Sequence, residues 1–364
     1  MTTTLAACQA FLYDLPLTAL LRLGNHSLTR RQGLLVWLED RAGCWGCGEV
    51  APLPGLHRED LARALQQLKE LRPVVLGREL PELVSDWRTV LAHWLAPYAM
   101  CPSLRHGLES ALLDLSACRQ GRTLAGVLRP DEYRKAVSIN GLLARDGIIE
   151  QHAAQLAGYP AVKLKVGNDS LEQEIHRVIT ARAIFGDAMA LRVDANRAWD
   201  FATALEFCQA VTACRLDYLE EPLRDPARLE ELGRLTGVPI ALDETLAESR
   251  FESITIPSGV TALVLKPTVL GGATATACWL DIARQHRLKA VITSVFESGV
   301  GLAHLANCAA ALLETDTPLG LDTYRWLGED LPTVRFSATH AKIDVDNVYY
   351  QARQLRTDLL SRML

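Results

Sequence analysis

Between residues 136 and 322 short apolar runs recur, most of them closed by a polar or charged residue. The runs are Val137 to Asn140, Ala161 to Lys165, Ala190 to Asp194, Tyr218 to Glu220, Ile240 to Asp243, Ala262 to Lys266, Ala290 to Ser294 and Gly320 to Asp322. Their ends are separated by steps in the twenties. The intervals hold amphipathic stretches such as Phe201 to Thr212 and Ala227 to Leu235. Strands alternating with helices of this length predict parallel βα units. Eight such strands is the number that closes a (β/α) barrel.

Residues 1 to about 120 have another texture. Leu34 to Glu39 and Cys44 to Val50 predict an antiparallel hairpin turning at Asp40 to Gly43. Leu20 to Gly33 is polar and basic without periodicity and is expected to be a loop. APLPG (51–55) cannot continue a ladder. His57 to Leu71 has helical spacing, with Glu59 and Asp60 where a helix dipole favours acids. Ser103 to Ala117 predicts a second helix. The expected organisation is an α+β unit over 1–120 whose loops close on substrate, a barrel over 121–330, and a segment 331–364 packing back on the first unit.

Composition narrows the partners. The chain has 364 residues, 49% hydrophobic content and formal net charge −5, which gives no reason to expect nucleic acid or a membrane surface. No apolar run approaches the roughly 20 residues of a membrane helix. MTTTLAACQAFLYDL lacks the basic and apolar regions of a secretory signal, so a cytoplasmic protein is expected. Nine scattered cysteines, an odd count, are expected to be buried free thiols. Cys44 and Cys47 form a CxxC, but no second CxxC or nearby Cys/His pair completes a four-ligand site.

The candidate chemistry lies at the strand ends. Lys163 and Lys165 alternate with apolar residues and share one face. Downstream ends carry Asp194, Glu220, Asp243 and Lys266. A single such aspartate more often caps a helix or pairs with an arginine, yet five consecutive ionisable strand ends point to a site. Three carboxylates are hard oxygen donors suited to Mg²⁺, or Mn²⁺ in its place; no His or Cys shares those ends to favour a softer metal. Lysines on both sides of such a cation suggest removal of a proton α to a carboxylate, Lys163 being the neighbour that makes Lys165 a better base. Arg192, two residues before Asp194, either adds positive charge there or forms a salt bridge across the barrel.

LRVDANRAW (191–199), YLEEP (218–222), ALDET (241–245), LKPT (265–268) and the KxK of AVKLKVG together resemble the enolase superfamily, in its muconate-lactonizing subgroup. GCGEVAPLPG (46–55), ITSVFESGVGL (292–302) and PLGLDT (318–323) extend the similarity over nearly the whole chain. Within the subgroup the motifs are most similar to the dehydratase family that forms o-succinylbenzoate. The resemblance implies an α+β capping domain followed by a modified TIM-type (β/α)7β barrel. It implies Mg²⁺-dependent syn elimination of water from 2-succinyl-6-hydroxy-2,4-cyclohexadiene-1-carboxylate in menaquinone or phylloquinone biosynthesis. Lys165 would be base and then acid. Asp194, Glu220 and Asp243 would hold the metal, and Lys266 would face the ring and stabilise the enolate. Lys163, Arg192, Asn196 and Glu221 would support them.

The succinyl carboxylate is expected near Thr293, Ser294 and the backbone of Gly320. Arg22, His26 and Arg30 are available on the capping loop but read more simply as solvated charges. An N-succinylamino-acid racemase or dipeptide epimerase would use Lys165 and Lys266 as opposed bases. The DxD that a dipeptide epimerase carries after the eighth strand is here Asp322-Thr323-Tyr324. A muconate cycloisomerase would not need a succinyl pocket. A catalytically silent binding barrel would tolerate loss of part of the Lys, Asp, Glu, Asp, Lys series, which is intact.

Overall fold

The structure, a computed structural model, describes residues 3–23, 26–84, 86–130, 132–143 and 149–364. The chain opens with β1 (Leu5–Leu23), β2 (His26–Asp40) and β3 (Trp45–Val50), an antiparallel meander. The β2–β3 hairpin turns where expected, with Asp40 Oδ1 accepting from the amides of Ala42 and Cys44. Helices Leu61–Val75, Trp87–Leu95 and Pro102–Gln120 follow. The first starts four residues later than its pattern suggested, because the Asp60 side chain caps it by accepting from Arg63 N.

Leu20 to Gly33 is not a loop. Apart from residues 24 and 25, which lie outside the described residues, it belongs to β1 and β2, paired Leu21↔Leu28, Arg22↔Ser27 and Leu23↔His26 beyond a register shift after Pro16↔Arg30. Most side chains of this ribbon are exposed or half-buried, so no buried face imposes the alternation that marks a strand in sequence. Its outer end lies against the capping segment, with His26 beside Gly55.

The barrel is a seven-stranded parallel sheet in sequential order, from Gly141–Leu143 to Lys289–Ile292. After β4 (Ala136–Ser138) its strands are β5 (Gly141–Leu143), β6 (Ala161–Lys165), β7 (Ala190–Asp194), β8 (Tyr218–Glu220), β9 (Ile240–Leu242), β10 (Val260–Leu265) and β11 (Lys289–Ile292). Two expectations change at the seam. Val137 to Asn140 is not the first barrel strand: β4 pairs antiparallel with β12 (Lys342–Asp344), and β5, unread in the sequence, opens the sheet. Gly320 to Asp322 is not a full strand either. Leu319 and Gly320 form single parallel bridges to Ile139 and Thr293, closing the ring, and a 3₁₀ turn begins at Asp322.

One buried apolar cluster runs from the barrel strands and their helices into the helices of the first 120 residues. At the chain's end β13 (Ser361–Arg362) adds to β1. Arg353 Nη1 and Tyr349 Oη donate to the buried carboxylate of Asp114 at 2.5 and 2.7 Å. Segment 331–364 is therefore joined to the N-terminal sheet by backbone pairing and to the helix Pro102–Gln120 by charge.

Candidate active site

Strand register brings the charged residues together. Lys165 pairs with Asp194 and Asp194 with Glu220, so three neighbouring strands end at one level. Two residues lower, Lys163, Arg192 and Tyr218 form the next layer. Asp194 and Glu220 are fully buried, and Asp243 is 4% exposed.

The lysines reach these carboxylates. Lys163 Nζ bridges Asp194 Oδ2 at 2.9 Å and Glu220 Oε1 at 2.8 Å. Lys165 Nζ lies 2.8 Å from Asp194 Oδ2 and donates to Asn196 Oδ1 at 2.7 Å. Lys266 pairs with Asp243 on the far side. Lys165 keeps 38% of its side chain exposed, against 12% for each of the other two lysines. Of the three it is the one open to the barrel mouth.

Burial alone would raise Asp194, but the ammonium groups of Lys163, Lys165 and Lys266 outweigh it and hold the carboxyl well below its usual range. Glu220 goes the other way: burial and then the Asp194 charge push it well above, with Lys163 opposing. Two neighbouring carboxylates pushed apart in this way compete for the available positive charge. Burial disfavours the Lys163 cation, yet Asp194 and Glu220 prevail and hold it well above an ordinary lysine. Lys266 is likewise raised, with Asp243 the main opponent of burial.

Glu221, next after Glu220, ties together the segments just past the strand ends. Its Oε1 accepts from the amides of Asp243 and Thr245 at 2.9 and 2.8 Å, and its Oε2 from Thr245 Oγ1 and Arg197 Nε at 3.0 Å each. Asn196, Arg197 and Glu221 all have positive φ, at 44°, 58° and 39°. Side-chain-bearing residues hold such backbone only where surrounding bonds over-determine it.

Arg192 forms a salt bridge, as in the second of its two readings, but with the residue leading into the neighbouring strand β8 rather than across the barrel. It is buried one layer down, with Nε 3.0 Å from Asp217 Oδ2 and Nη1 donating to Asn140 Oδ1 and the Pro318 carbonyl at 2.9 and 2.7 Å. Thr293, Ser294 and Gly320 do meet, but at the barrel seam: both hydroxyls donate to the Gly320 carbonyl, at 3.1 and 2.9 Å. Arg30 is paired with Asp14.

Three residues passed unnoticed in the sequence. Glu244 follows Asp243 directly; its Oε1 accepts from Asn196 Nδ2 at 2.9 Å, and burial with the Asp243 charge pushes its carboxyl up to about 7. The second acid in ALDET was the available signal. His57 bonds Leu53 N at 2.9 Å and Thr268 Oγ1 at 3.2 Å, joining the capping segment to the strand end that bears Lys266. Arg31 is buried between the two halves. Neither has a signal in sequence, because each looks like a polar residue in a polar stretch. Over the site a cavity of about 200 Å³ is lined by Gly55, Leu56, Arg58, Asp243, Glu244 and Lys266, among others.

The donor set fits a hard divalent cation. Asp194, Glu220 and Asp243 supply only carboxylate oxygens, and the buried Glu220 Oε2 has no hydrogen-bond partner among the described residues. Their oxygens do not all lie within 4.8 Å of one another, and ammonium groups stand on them. The one trio of described metal-ligating groups that does, Cys47, Asp114 and His304, has its carboxylate already held by Arg353.

The family description "Enolase C-terminal domain-like" matches residues 148–348, and "MenC, N-terminal domain" matches residues 6–115. The chain is 33% identical over 325 residues to the o-succinylbenzoate synthase of Vibrio cholerae (strain M66-2), covering 85% of the chain and 87% of that protein. It is 32% identical over 341 residues to Protein PHYLLO, chloroplastic, of Arabidopsis thaliana, where 83% of the chain spans 20% of that longer protein. Among solved structures, a muconate lactonizing enzyme from Pseudomonas fluorescens complexed with muconolactone has the same fold, with TM-score 0.83 at 22% identity over 95% of both chains. The chain belongs to the enolase superfamily and, within it, to the o-succinylbenzoate synthase family.

Proposed function

We propose that the chain is the hydro-lyase that converts 2-succinyl-6-hydroxy-2,4-cyclohexadiene-1-carboxylate to o-succinylbenzoate. The observation that carries this reading is the level series Lys165, Asp194 and Glu220, with Lys266 on Asp243 opposite. It places two cations on either side of three carboxylates. Mg²⁺ would be held by Asp194, Glu220 and Asp243; when bound it supplies Lewis-acid charge to a substrate carboxylate, so that an α-proton can leave.

The chain's own groups then divide the work. Lys165 Nζ, the most exposed of the three site lysines and the one fixed by Asn196 Oδ1, takes the α-proton in its neutral form. The electrons of that C–H bond become the ring double bond, and the C–O bond to the hydroxyl breaks. The same Nζ returns its proton to the departing hydroxide, which leaves as water. Lys266, held charged by Asp243, faces the negative charge that develops and needs no proton of its own. Lys163, locked between Asp194 and Glu220, places positive charge behind the base.

A dipeptide epimerase would grip its substrate's ammonium with acids after the last strand. Asp322 is engaged here instead, accepting from Leu142 N and Tyr159 Oη at 3.1 Å each. The test is ultraviolet turnover of the cyclohexadiene substrate with Mg²⁺, with and without EDTA, alongside α-proton exchange of an N-succinyl amino acid. EDTA-sensitive dehydration without exchange is expected. Exchange without dehydration would move the function to a racemase.

A further inference from the structure

Arg31 on β2 is 2% exposed, and every hydrogen bond its guanidinium makes among the described residues goes to a main-chain carbonyl. Nε donates to Phe296 O at 3.0 Å. Nη1 donates to Gln32 O and Pro52 O at 3.1 Å each, and Nη2 to Ala51 O and to Val295 O at 3.4 Å. A guanidinium cannot shed its charge in a protein, so burial is tolerated only while its donors are met. Here they are met by three segments at once: its own strand, the capping segment at 51–52 and the barrel segment at 295–296. Separating cap from barrel would strand a buried cation.

Both remote segments flank the barrel mouth. The first runs on to Gly55, Leu56 and Arg58, which line the cavity with Asp243 and Lys266. The second follows Thr293 and Ser294 at a strand end. It is tightly set: Phe296 has φ of 63° and packs edge-on to Trp326, and Val295 N donates to Glu297 Oε2 at 2.6 Å. From the capping side Glu49 accepts from the amides of Ser298 and Gly301, both at 2.9 Å. The helix that follows is thereby fixed, while the carbonyls ahead of it rest on Arg31.

We propose that Arg31 is a positioning residue for substrate binding, fixing the capping segment Ala51–Leu56 against Thr293–Phe296 and so shaping the wall that receives the part of the substrate remote from proton transfer. Its kinetic consequence rests on the dehydratase reading above; its structural consequence does not. Lysine keeps the charge but offers three donors on a point centre in place of five on a planar fork, so Arg31→Lys leaves carbonyls of both segments unbonded.

The experiment measures amide hydrogen exchange on the full chain without substrate, and steady-state dehydration, for the native protein and Arg31→Lys. Exchange is expected to accelerate by about tenfold or more at both Leu53–His57 and Ser294–Val295, with the barrel strands unchanged. KM is expected to rise about tenfold or more while kcat stays within about threefold. Arg31→Ala should show the larger KM, brought back toward the native value by added guanidinium ion. If Arg31→Ala does not fold, Arg31→Lys alone decides. A drop in kcat at constant KM, unchanged exchange in either segment, or exchange raised uniformly along the chain would overturn the proposal. Absence of dehydration by the native protein would remove the dehydratase reading and leave Arg31 to be judged by exchange alone.

Discussion

Lys165 donates to Asn196 Oδ1 at 2.7 Å, from the end of one barrel strand to a residue two past the end of the next. Asn196 is itself anchored, donating through Nδ2 to Glu244 Oε1 at 2.9 Å. The base is thereby aimed by a neutral group, so it can lose its proton without losing its partner.

Lys165→Ala should lower kcat by about 10³-fold or more, since proton abstraction has no other candidate as exposed. Mg²⁺ binding, followed by calorimetry, should survive. Asn196→Ala should cost about 10²-fold in kcat through misaimed Nζ. Activity retained in Lys165→Ala would remove that lysine from the chemistry.

Metal dependence should track the carboxylates. EDTA should abolish turnover and added Mg²⁺ restore it. Asp243→Asn should shift the Mg²⁺ titration of activity upward by about tenfold or more. An unchanged titration would take Asp243 out of the ligand set. The companion effect on Lys266, which loses its paired charge in this variant, should appear in kcat even at saturating metal.

The sequence was most legible where one residue type does one job at a strand end. Lys165, Asp194, Glu220, Asp243 and Lys266 could be placed because period-2 alternation and a βα repeat fix both face and level. Legibility failed where backbone pairing rather than side-chain pattern makes the structure. The described residues of the ribbon through Leu20 to Gly33 are mostly exposed or half-buried, and the barrel seam is two single-residue bridges at Leu319 and Gly320. For Arg192 the pattern left two readings open, because a charge spaced two residues from Asp194 shares its face; the structure pairs it with Asp217 at the layer below. Arg31 and His57 were illegible for a third reason: the barrel partners that give them their role, Val295 and Phe296 for one and Thr268 for the other, lie more than 200 residues away.

Glu221 gives a prediction in which stability and metal affinity move together. Its carboxylate accepts four hydrogen bonds, one from the Asp243 amide itself. Glu221→Ala leaves the buried Asp243 amide and the half-buried Thr245 amide unsatisfied and removes one of the partners of Arg197, which keeps Glu248. A loss of about 3 kcal/mol in denaturant unfolding is expected, with Mg²⁺ affinity reduced about 10-fold to 100-fold by the displaced Asp243 backbone. Loss of stability with unchanged affinity would make Glu221 a fold support alone.

Glu297 should give the fold a pH dependence of definite sign. Burial, and then the nearby Glu49 charge, push its carboxyl up to about 7 from an ordinary value of 4.5. The folded state therefore holds this proton more tightly than the unfolded chain. The stability it contributes is present below about pH 4.5 and is lost as pH rises toward 7. The difference corresponds to roughly 3 kcal/mol at full ionisation. Two histidines act oppositely: burial lowers half-buried His57 to about 4 and buried His106 to about 3, so their contribution grows as pH rises toward 6.5. The whole-protein curve mixes these signs, and the variant difference separates them. Glu297→Gln keeps the side chain's shape and an oxygen to accept from Val295 N, but is neutral at every pH. Its melting temperature should fall less between pH 5 and pH 8 than that of the native protein. Parallel curves for the two proteins would mean that Glu297 is already ionised in the fold, with Arg31 as its counter-charge.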